Sequence, residues 1–418
     1  MNIDSLLQPY QHFGVNLGLS RIVKILTKLG SPHQQFPIIH VAGSNGKGSV
    51  CAYLSSVLTE AGYRTGLYTS PHLVNWTERI CINKKQITEE EFCKLIIQIQ
   101  AAIDLTEESP TQFEVITAAA WLYFAQQKVD IAIIEVGLGG RLDATNVCDN
   151  PLVTVITSIS LEHCQQLGPT VTHIAREKAG IIKKSCPVVM GQLPVEAQEV
   201  VRSRSLELQC PLIAPSPAEQ TSPGYAKYNN IEYPLPLQGE IQLHNSVLAL
   251  TVLEILQQKG WHITQESIIT GMGKTQWPGR MQWIDWNNHQ LLIDGAHNPG
   301  SAVVLRNYVD TWKRKNITWV MGMLATKDHS EIFQALLKPG DKLYIVPVPE
   351  SNSANLIELV ELATTICPQL QNCTTYADVF LALDAAYSDT DNPDNLVVLS
   401  GSLYLIGYFF RNQQSVSV

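Results

Sequence analysis

Short apolar segments alternate with helical segments along this chain from residue 38 onward. The segments IIHVAG, RTGLYTS, DIAIIEVGLGG, LVTVITSI and PVVMG have the composition of strands. Helical patterns stand between them over residues 46–62, 89–104 and 115–128, and another helix is expected to start at REKAGIIK. Strands separated by helices form a mainly parallel sheet with helices on both faces. The alternation therefore predicts an α/β fold.

The 418 residues exceed the size of one ordinary core, so two domains are expected. Residues 211–239 predict irregular strands or long loops, a helix follows over 241–258, and WPGR then breaks the pattern beside an expected hinge. A second α/β unit begins with QLLIDGAHNPGS. We place the boundary near residue 285. Residues 1–284 are expected to form a phosphate-loop NTPase-like domain with a mostly parallel sheet and flanking helices, and residues 285–418 a smaller Rossmann-like α/β domain.

The composition excludes several classes of protein. The formal net charge is −9, whereas a nucleic-acid-binding protein normally carries a basic face. The nine cysteines are odd in number and include no CxxC pair, which favours a reducing compartment and argues against structural zinc. The N-terminal segment MNIDSLLQPY lacks a secretory pattern, and no apolar run approaches about 18 residues. We therefore expect a cytoplasmic protein without nucleic-acid or membrane partners.

The segment GSNGKGS, residues 43–49, lies between the first strand and the first helix. Glycines let successive backbone N–H groups turn toward phosphate oxygens, and the helix N-terminus adds its positive dipole end. Lys47 would neutralise the β- and γ-phosphates, and Ser49 would reach a phosphate oxygen or a metal ion. The general phosphate-loop pattern has a glycine where this chain has Val41. A plain glycine turn is the alternative interpretation.

Three further polar residues are candidates for the same site. Glu135 ends the apolar segment IAIIE, where a carboxylate can hold the Mg²⁺ that bridges ATP phosphates. His163, just past the next strand, could ligate a second ion or orient a ligand. Each has an ordinary alternative: Glu135 is simply solvated, His163 is a surface or capping residue, and Lys178 of REKAG is a solvated helix lysine. The nearby glycine loop favours the metal role for Glu135.

Two candidates lie in or beside the second unit. Asp294 follows the strand LLI and precedes a glycine, so it could bond a ribose hydroxyl or simply form a turn. Arg280, at the expected hinge, could hold phosphates with two parallel hydrogen bonds. Its alternative is a salt bridge between domains.

Taken together, the motifs resemble the folylpolyglutamate synthase/dihydrofolate synthase family of the Mur ligase superfamily. The resemblance runs from about residue 14 to residue 407 and is carried by an ordered set of blocks. These are VAGSNGKGS, YTSPHLVNWTERI, EVGLGGRLDATN, ITSISLEH, REKAGI, WPGRMQ, DGAHNP and MLATKD. An ordered set of this kind is far more specific than a phosphate loop alone.

The resemblance implies that the chain binds ATP with two Mg²⁺ ions. The nucleotide ligands would be Ser44, Asn45, Gly46, Lys47, Gly48, Ser49, Asn245, Arg280 and Asp294. The metal ligands would be Ser70, Glu135, His163 and Lys178. Lys47, His163 and Lys178 would take part in catalysis. Lys178 matches a lysine that is carbamylated in the family, and carbamylation converts a cation into an anion that can bind Mg²⁺.

The resemblance also implies a pterin pocket. Its residues would be Val15, Asn16, Leu17, Gly18, Thr111, Gln112, Phe113, Glu114, Leu142, Asp143 and Ala144. The string RLDATN is similar to members with dihydrofolate synthase activity. Gln112 stands where an aromatic residue is frequent, which would change the fit of the pterin. Ser44 stands where threonine is common, without an expected effect on the chemistry.

The family joins L-glutamate to dihydropteroate or to tetrahydrofolates through an acyl phosphate, and its members are typically monomers. We therefore expect a bifunctional ligase whose domains close over the nucleotide. A monofunctional member of the family would carry the same motifs. A Mur-type peptidoglycan ligase normally has an N-terminal UDP-sugar domain, for which residues 1–42 leave no room. A phosphate-loop switch or motor is a further hypothesis, but it would not need a second α/β unit with its own strand–DG–helix site. A pure binding module is the remaining hypothesis.

Overall fold

The computed structural model describes residues 2–104, 106–312, 316–349, 352–388 and 395–413. The chain forms two compact units, one of Met1–Pro236 with Gln242–Gln276, and one of Leu237–Ile241 with Trp277–Val418. The expected boundary at residue 285 would cut the strand Gln282–Trp286, which pairs along its whole length with the following strand. The observed division lies between Gln276 and Trp277, because the strand that follows WPGR belongs to the second sheet.

The first unit is built on an eight-stranded sheet. Its strands are β1 (Ile38–Ala42), β2 (Thr65–Tyr68), β3 (Ile80–Ile82), β4 (Lys85–Gln86), β5 (Ile131–Glu135), β6 (Val153–Ile156), β7 (Val188–Met190) and β8 (Leu212–Ile213). Their order is β4-β3-β2-β5-β1-β6-β7-β8, and all neighbours are parallel except β2-β3 and β3-β4. The predicted parallel sheet is confirmed.

The α-helices of the first unit connect these strands or cover them. They are α1 (Ile3–Leu7), α2 (Ser20–Lys28), α3 (Lys47–Glu60), α4 (Glu89–Ala102), α5 (Gln112–Gln126), α6 (Cys164–Leu167), α7 (Val171–Ala179), α8 (Val195–Glu207), α9 (Ile241–Gln258) and α10 (Gln265–Gly273). Short 3-10 helices occupy Gln8–Phe13, Pro32–Gln34 and Trp76–Arg79. Residues 219–234, where irregular strands were expected, form an antiparallel sheet of β9 (Glu219–Ser222), β10 (Tyr225–Tyr228) and β11 (Ile231–Pro234).

The central strands β1 and β5 are buried along their whole length. Burial on both faces explains why these strands are nearly continuous apolar runs rather than alternating ones. One apolar cluster contains residues of α2, α4 and α5, and another contains residues of α7, β6 and β7. Because β1 and β5 are adjacent and parallel, the glycine loop after β1 and the acid that ends β5 emerge at the same edge.

The second unit contains a six-stranded sheet. Its strands are β12 (Gln282–Trp286), β13 (His289–Ile293), β14 (Asn316–Met321), β15 (Lys342–Ile345), β16 (Asn372–Thr375) and β17 (Asn395–Ser400), in the order β12-β13-β17-β14-β15-β16. Among the described strands of this sheet, the edge pair β12-β13 is antiparallel and the others are parallel. The helices are α11 (Pro299–Asp310), α12 (His329–Leu336), α13 (Leu356–Ile366), α14 (Val379–Ser388) and α15 (Leu403–Asn412). The expected α/β architecture of this unit is confirmed.

One expected helix has the wrong bounds. REKAGIIK was predicted to begin a helix, but α7 begins at Val171 and ends at Ala179. The side chain of Thr170 accepts a hydrogen bond from the backbone N–H of His173 and caps the helix there. No helix within the described ranges has both the length and the apolar content to cross a bilayer.

Candidate active site

The loop after β1 turns directly into α3. Gly46 precedes the first helical residue, Lys47, with a left-handed backbone (φ 85°) that glycine adopts without strain. A Cβ atom at Gly46 would lie 2.5 Å from Oδ1 of Asn245 on α9, and one at Gly43 would collide with the side chain of Thr157. Two of the loop's glycines are therefore required by close packing as well as by the turn.

Hydrogen bonds fix the loop to the chain that follows β6. The backbone N–H groups of Ser44 and Asn45 donate to the carbonyl oxygen (2.7 Å) and hydroxyl (2.9 Å) of Ser158. The hydroxyl of Thr157 donates to the carbonyl oxygen of Asn45 at 2.7 Å. The Ser44 hydroxyl accepts from the backbone N–H of Ser160 at 3.0 Å. The loop is thus held in shape by its neighbour in the sheet.

Lys47 and Lys178 converge on one backbone oxygen. The Nζ atoms of both lysines donate to the carbonyl oxygen of Gly43, at 2.8 Å and 2.9 Å. Lys47 also donates to the carbonyl oxygen of Ser44 at 3.2 Å. Both ammonium groups therefore lie against the same loop.

Lys178 is buried and ion-paired. Its Nζ lies 2.7 Å from Oε1 of Glu162, and the two side chains are 2% and 10% exposed. Burial lowers the pKa of Lys178, as does the charge of Lys47, while Glu162 opposes both. Burial works to raise the pKa of Glu162, but Lys178 and Lys47 outweigh it and lower that pKa to about 2. The interpretation of Lys178 as a solvated helix lysine is wrong.

Glu135 ends β5 and is buried. One of its carboxylate oxygens accepts from the backbone N–H of Ser70 at 3.2 Å, which brings these two expected metal ligands together. Burial raises the pKa of the thiol of Cys51 on α3, with Glu135 acting in the same sense and Lys47 in the opposite sense. The carboxylate of Glu135 and the ammonium of Lys47 therefore both lie close enough to Cys51 to act on its thiol.

His163 and Asn245 occupy different surroundings. His163 is exposed, has a left-handed backbone and immediately precedes α6. Asn245 is buried, and its amide donates to Oε1 of Gln242 at 3.2 Å. Among the described residues, His, Cys, Asp and Glu side chains form no group of three or more arranged to hold a metal ion. A bound metal would thus also need hydroxyl, phosphate or modified-lysine oxygens as ligands.

Arg21 on α2 joins two of the segments expected to form the pterin pocket. Its Nε donates to Oε2 of Glu114 at 3.0 Å, and one terminal nitrogen donates to the carbonyl oxygen of Asn16 at 2.5 Å. The other terminal nitrogen donates to Glu108 at 3.2 Å. Glu114 also accepts from the hydroxyl of Thr111 at 2.9 Å, within the capping box of α5. The guanidinium therefore fixes residue 16 relative to the start of α5.

The third segment expected in that pocket lies in the connection between β5 and β6. Asp143 is buried there and accepts from the backbone N–H groups of Leu138 (2.8 Å) and Thr145 (3.0 Å). Burial raises the pKa of Asp143, and these hydrogen bonds oppose the rise. The ring of Phe113, from the second segment, packs where a Cβ of Gly137 would lie. Through Gly137 and Phe113, this loop borders the start of α5. Leu142 and Ala144 lie on either side of Asp143 in the same loop.

The remaining residues expected in the pterin pocket lie in the same first two segments. Val15 is 61% exposed, Leu17 and Gly18 lie between it and α2, and Gln112 is the first residue of α5. The structure thus places residues 15–18 and 111–114 together through Arg21, and residues 111–114 beside the loop 137–146 through Phe113.

In the second unit, Asp294 directly follows β13. Its two carboxylate oxygens accept from the backbone N–H groups of Met281 (2.9 Å) and Ala296 (2.8 Å). Burial raises the pKa of Asp294, and the charge of Arg280 opposes this. The carboxylate of Asp294 therefore stabilises the turn in which it lies. The charge of Arg280 is close enough to act on this carboxylate.

Two residues of these clusters were missed from the sequence. Glu162 stands next to His163 in SLEHC, and an acid beside a candidate ligand at a strand end was the available signal. Arg21 lies 93 positions from Glu114, and no local pattern could pair them.

Both units match known family models. Residues 41–253 match the Mur ligase middle domain, and residues 280–412 match the C-terminal domain of dihydrofolate synthetase. A Saccharomyces cerevisiae protein named dihydrofolate synthetase is 34% identical over 421 residues, covering 96% of this chain and 99% of that protein.

Two solved structures resemble the whole chain. Mycobacterium tuberculosis folylpolyglutamate synthase complexed with ADP has a TM-score of 0.88 and 30% identity, covering 98% of this chain and 97% of that one. E. coli FolC in complex with DHPP and ADP has a TM-score of 0.85 and 29% identity, covering 98% and 96%. With both family models and a full-length relative in agreement, the chain belongs to the dihydrofolate synthase/folylpolyglutamate synthase family of Mur ligases, which are acid–amino-acid ligases.

Proposed function

We propose that this chain is an ATP- and Mg²⁺-dependent ligase that adds L-glutamate to dihydropteroate and to tetrahydrofolate. The substrate carboxylate attacks the γ-phosphate of ATP to give an acyl phosphate and ADP. The glutamate amine then attacks the acyl carbon, loses a proton and displaces phosphate to form the amide. Members of the family have been solved with ADP and, in E. coli FolC, with DHPP. These complexes support a nucleotide and a pterin as ligands of this chain.

One observation carries the proposal: the ammonium of Lys47, the first residue of α3, donates to the carbonyl oxygens of Gly43 and Ser44 in the loop expected to hold the phosphates. A carboxylate and a triphosphate repel each other, so a ligase that joins them must concentrate positive charge where they meet. We assign the phosphates of ATP to the loop of residues 44–49. Lys47 would leave the loop carbonyls when a phosphate offers it a charged acceptor. Asn245, next to Gly46, would contact the nucleotide.

Burial lowers the pKa of Lys178 and so favours the neutral amine, the form that carbon dioxide carbamylates, whereas the ion pair with Glu162 belongs to the unmodified lysine. A carbamate on Lys178 would place a second anion beside the carboxylate of Glu162, and adjacent buried anions are stable only with a cation near them. We assign Mg²⁺ to Ser70, Glu135, His163 and carbamylated Lys178, an oxygen-rich set with one histidine. When bound, Mg²⁺ would neutralise phosphate charge and support in-line phosphoryl transfer.

The pterin would occupy the pocket bordered by residues 15–18, 111–114 and 142–144. Phe113 supplies an aromatic face, and the Arg21–Glu114 ion pair holds two of the bordering segments together. Because its carboxylate oxygens accept from backbone donors, Asp143 would shape the pocket chiefly by folding its loop. Arg280 and Asp294 would contact the nucleotide from the second unit. The chain would act as a monomer.

The test is phosphate release from ATP with L-glutamate and one acceptor at a time. We expect release with dihydropteroate and with tetrahydrofolate, loss of both when EDTA removes Mg²⁺, and loss of both in Lys47→Ala. Release with one acceptor alone would identify a monofunctional enzyme. Release only with a UDP-N-acetylmuramoyl substrate would identify a peptidoglycan ligase and overturn the proposal.

A further inference from the structure

A buried histidine lies beneath the loop between β5 and β6. His40 is the middle residue of β1 and is completely buried. Its Nε2 lies 2.9 Å from Oγ1 of Thr145, and Oγ1 of Thr145 lies 2.5 Å from Oδ1 of Asp143. The three side chains form one chain of hydrogen bonds from the central strand to the loop.

The direction of these hydrogen bonds can be assigned. Each carboxylate oxygen of Asp143 faces a backbone N–H, of Leu138 or Thr145, so the carboxylate acts as an acceptor. Thr145 has a single hydroxyl hydrogen, and it goes to Asp143. His40 must therefore donate from Nε2, so this nitrogen carries a proton.

The other ring nitrogen of His40, Nδ1, is buried in apolar surroundings. The Nδ1 atom of His40 is buried and has no hydrogen-bond partner among the residues that the structure describes. The flanking residues of β1, Ile39 and Val41, are apolar and fully buried. An apolar residue at position 40 would avoid this unmet polar atom, so the imidazole is explained by the hydrogen bond that it makes. Burial and the charge of Lys183 lower the pKa of His40 to about 3, in agreement with a neutral ring.

The loop at the other end of this hydrogen-bonded chain touches both halves of the first unit's site. Gly137 packs against Phe113 at the start of α5, and the side chain of Arg141 pairs with Glu177 on α7 at 2.9 Å. Asp143 ties residue 138 to residue 145 across this loop. A displacement of Asp143 would therefore move residues 142–144 relative to Phe113.

We propose that His40 is a positioning residue for the acceptor substrate, fixing residues 142–144 through Thr145 and Asp143. This inference rests on the proposed function, because it takes those residues to border the pterin. It adds a buried strand residue that touches no ligand as a determinant of pterin affinity. The hydrogen bond of His40 leads to the loop between β5 and β6, so we expect it to affect binding of the pterin rather than binding of ATP.

The kinetic test compares His40→Leu, which removes the donor, with His40→Gln, whose amide can reach Thr145. We expect His40→Leu to raise KM for dihydropteroate roughly tenfold, the equivalent of one well-made hydrogen bond. KM for ATP and kcat should stay within about twofold, and His40→Gln should restore most of the affinity. Thr145→Val should raise KM further than His40→Leu, and Thr145→Ser should be close to the unmodified enzyme.

Equal losses in the leucine and glutamine variants, or a fall in kcat with unchanged KM for dihydropteroate, would overturn the proposal. A second measurement does not depend on activity. Ring ¹³C and ¹⁵N NMR shifts of His40 in the unmodified chain should report the Nε2–H tautomer, and the Nδ1–H tautomer would refute the assigned chain. If the unmodified chain turns over no pterin, the proposed function fails, whereas the tautomer result still tests the hydrogen bonds.

Discussion

The ammonium of Lys178 lies 2.7 Å from the carboxylate of Glu162, and both groups are almost entirely buried. The same ammonium bonds the carbonyl oxygen of Gly43 at 2.9 Å. A single lysine on α7 is thus connected to the loop after β1 and to the chain after β6. Any change to either member of the ion pair will act on the stability of this edge of the sheet as well as on its chemistry.

Removal of the charge of Glu162 should destabilise the first unit. In Glu162→Gln with Lys178 unmodified, the buried ammonium loses its counter-ion, and we expect the free energy of unfolding to fall by about 3 kcal/mol. Urea unfolding followed by circular dichroism measures this change. The matched control is Glu177→Gln, which breaks the more exposed pair with Arg141 and should cost less than about 1 kcal/mol. Equal costs in the two variants would contradict a special role for the buried pair.

His40 should make stability depend on pH in a defined direction. Its pKa is lowered from 6.5 to about 3 in the folded chain, so between these values the unfolded state binds the additional proton. Stability contributed by neutral His40 is therefore present above pH 6.5 and is lost as the pH falls, by about 1.4 kcal/mol per pH unit well inside this window. Urea titrations from pH 7 to pH 4 measure it. The slope should be smaller in His40→Gln, and parallel curves would contradict the prediction.

Lys47→Ala and Glu135→Ala should each abolish ligation while leaving the fold intact. Both side chains are assigned to the charge balance around the triphosphate, and loss of one such group costs about a hundredfold or more in rate. Coupled measurement of phosphate release gives the rate, and circular dichroism checks the fold. Lys94→Ala, which removes a 64% exposed lysine on α4, is the control and should not change the rate. Activity within about tenfold of normal in either site variant would refute its assigned role.

Arg21→Lys should weaken acceptor binding without affecting ATP. Lysine keeps the charge but cannot contact Asn16, Glu108 and Glu114 together, because it lacks the planar fork of arginine. We expect KM for dihydropteroate to rise about tenfold, with KM for ATP unchanged. Lys24→Ala, on the same helix, removes an exposed pair with Glu107 and serves as the control. A tenfold rise in KM for ATP as well would instead indicate that the substitution disrupts the fold of the first unit.

Much of the fold could be predicted because its main signals are local. Buried parallel strands read as apolar runs, and β1, β5 and β6 lie where those runs are. The predictions were wrong where the deciding contact is not local. The domain boundary was placed near residue 285, inside β12, because WPGR alone does not reveal that the residues after it pair with β13. The bounds of α7 were wrong because the capping threonine precedes the motif REKAG by several residues.

The class of fold, the loop of residues 43–49 and the position of Glu135 at a strand end could all be assigned from local sequence, because backbone propensity and short motifs act over a few neighbouring residues. Three further relationships became visible only in the folded chain: Lys178 is buried against Glu162, Arg21 joins two distant segments, and His40 is linked to Asp143 through Thr145. These relationships join residues far apart in the chain. They depend on strand order and on burial, which set the distance between two charges and the cost of leaving one without its partner.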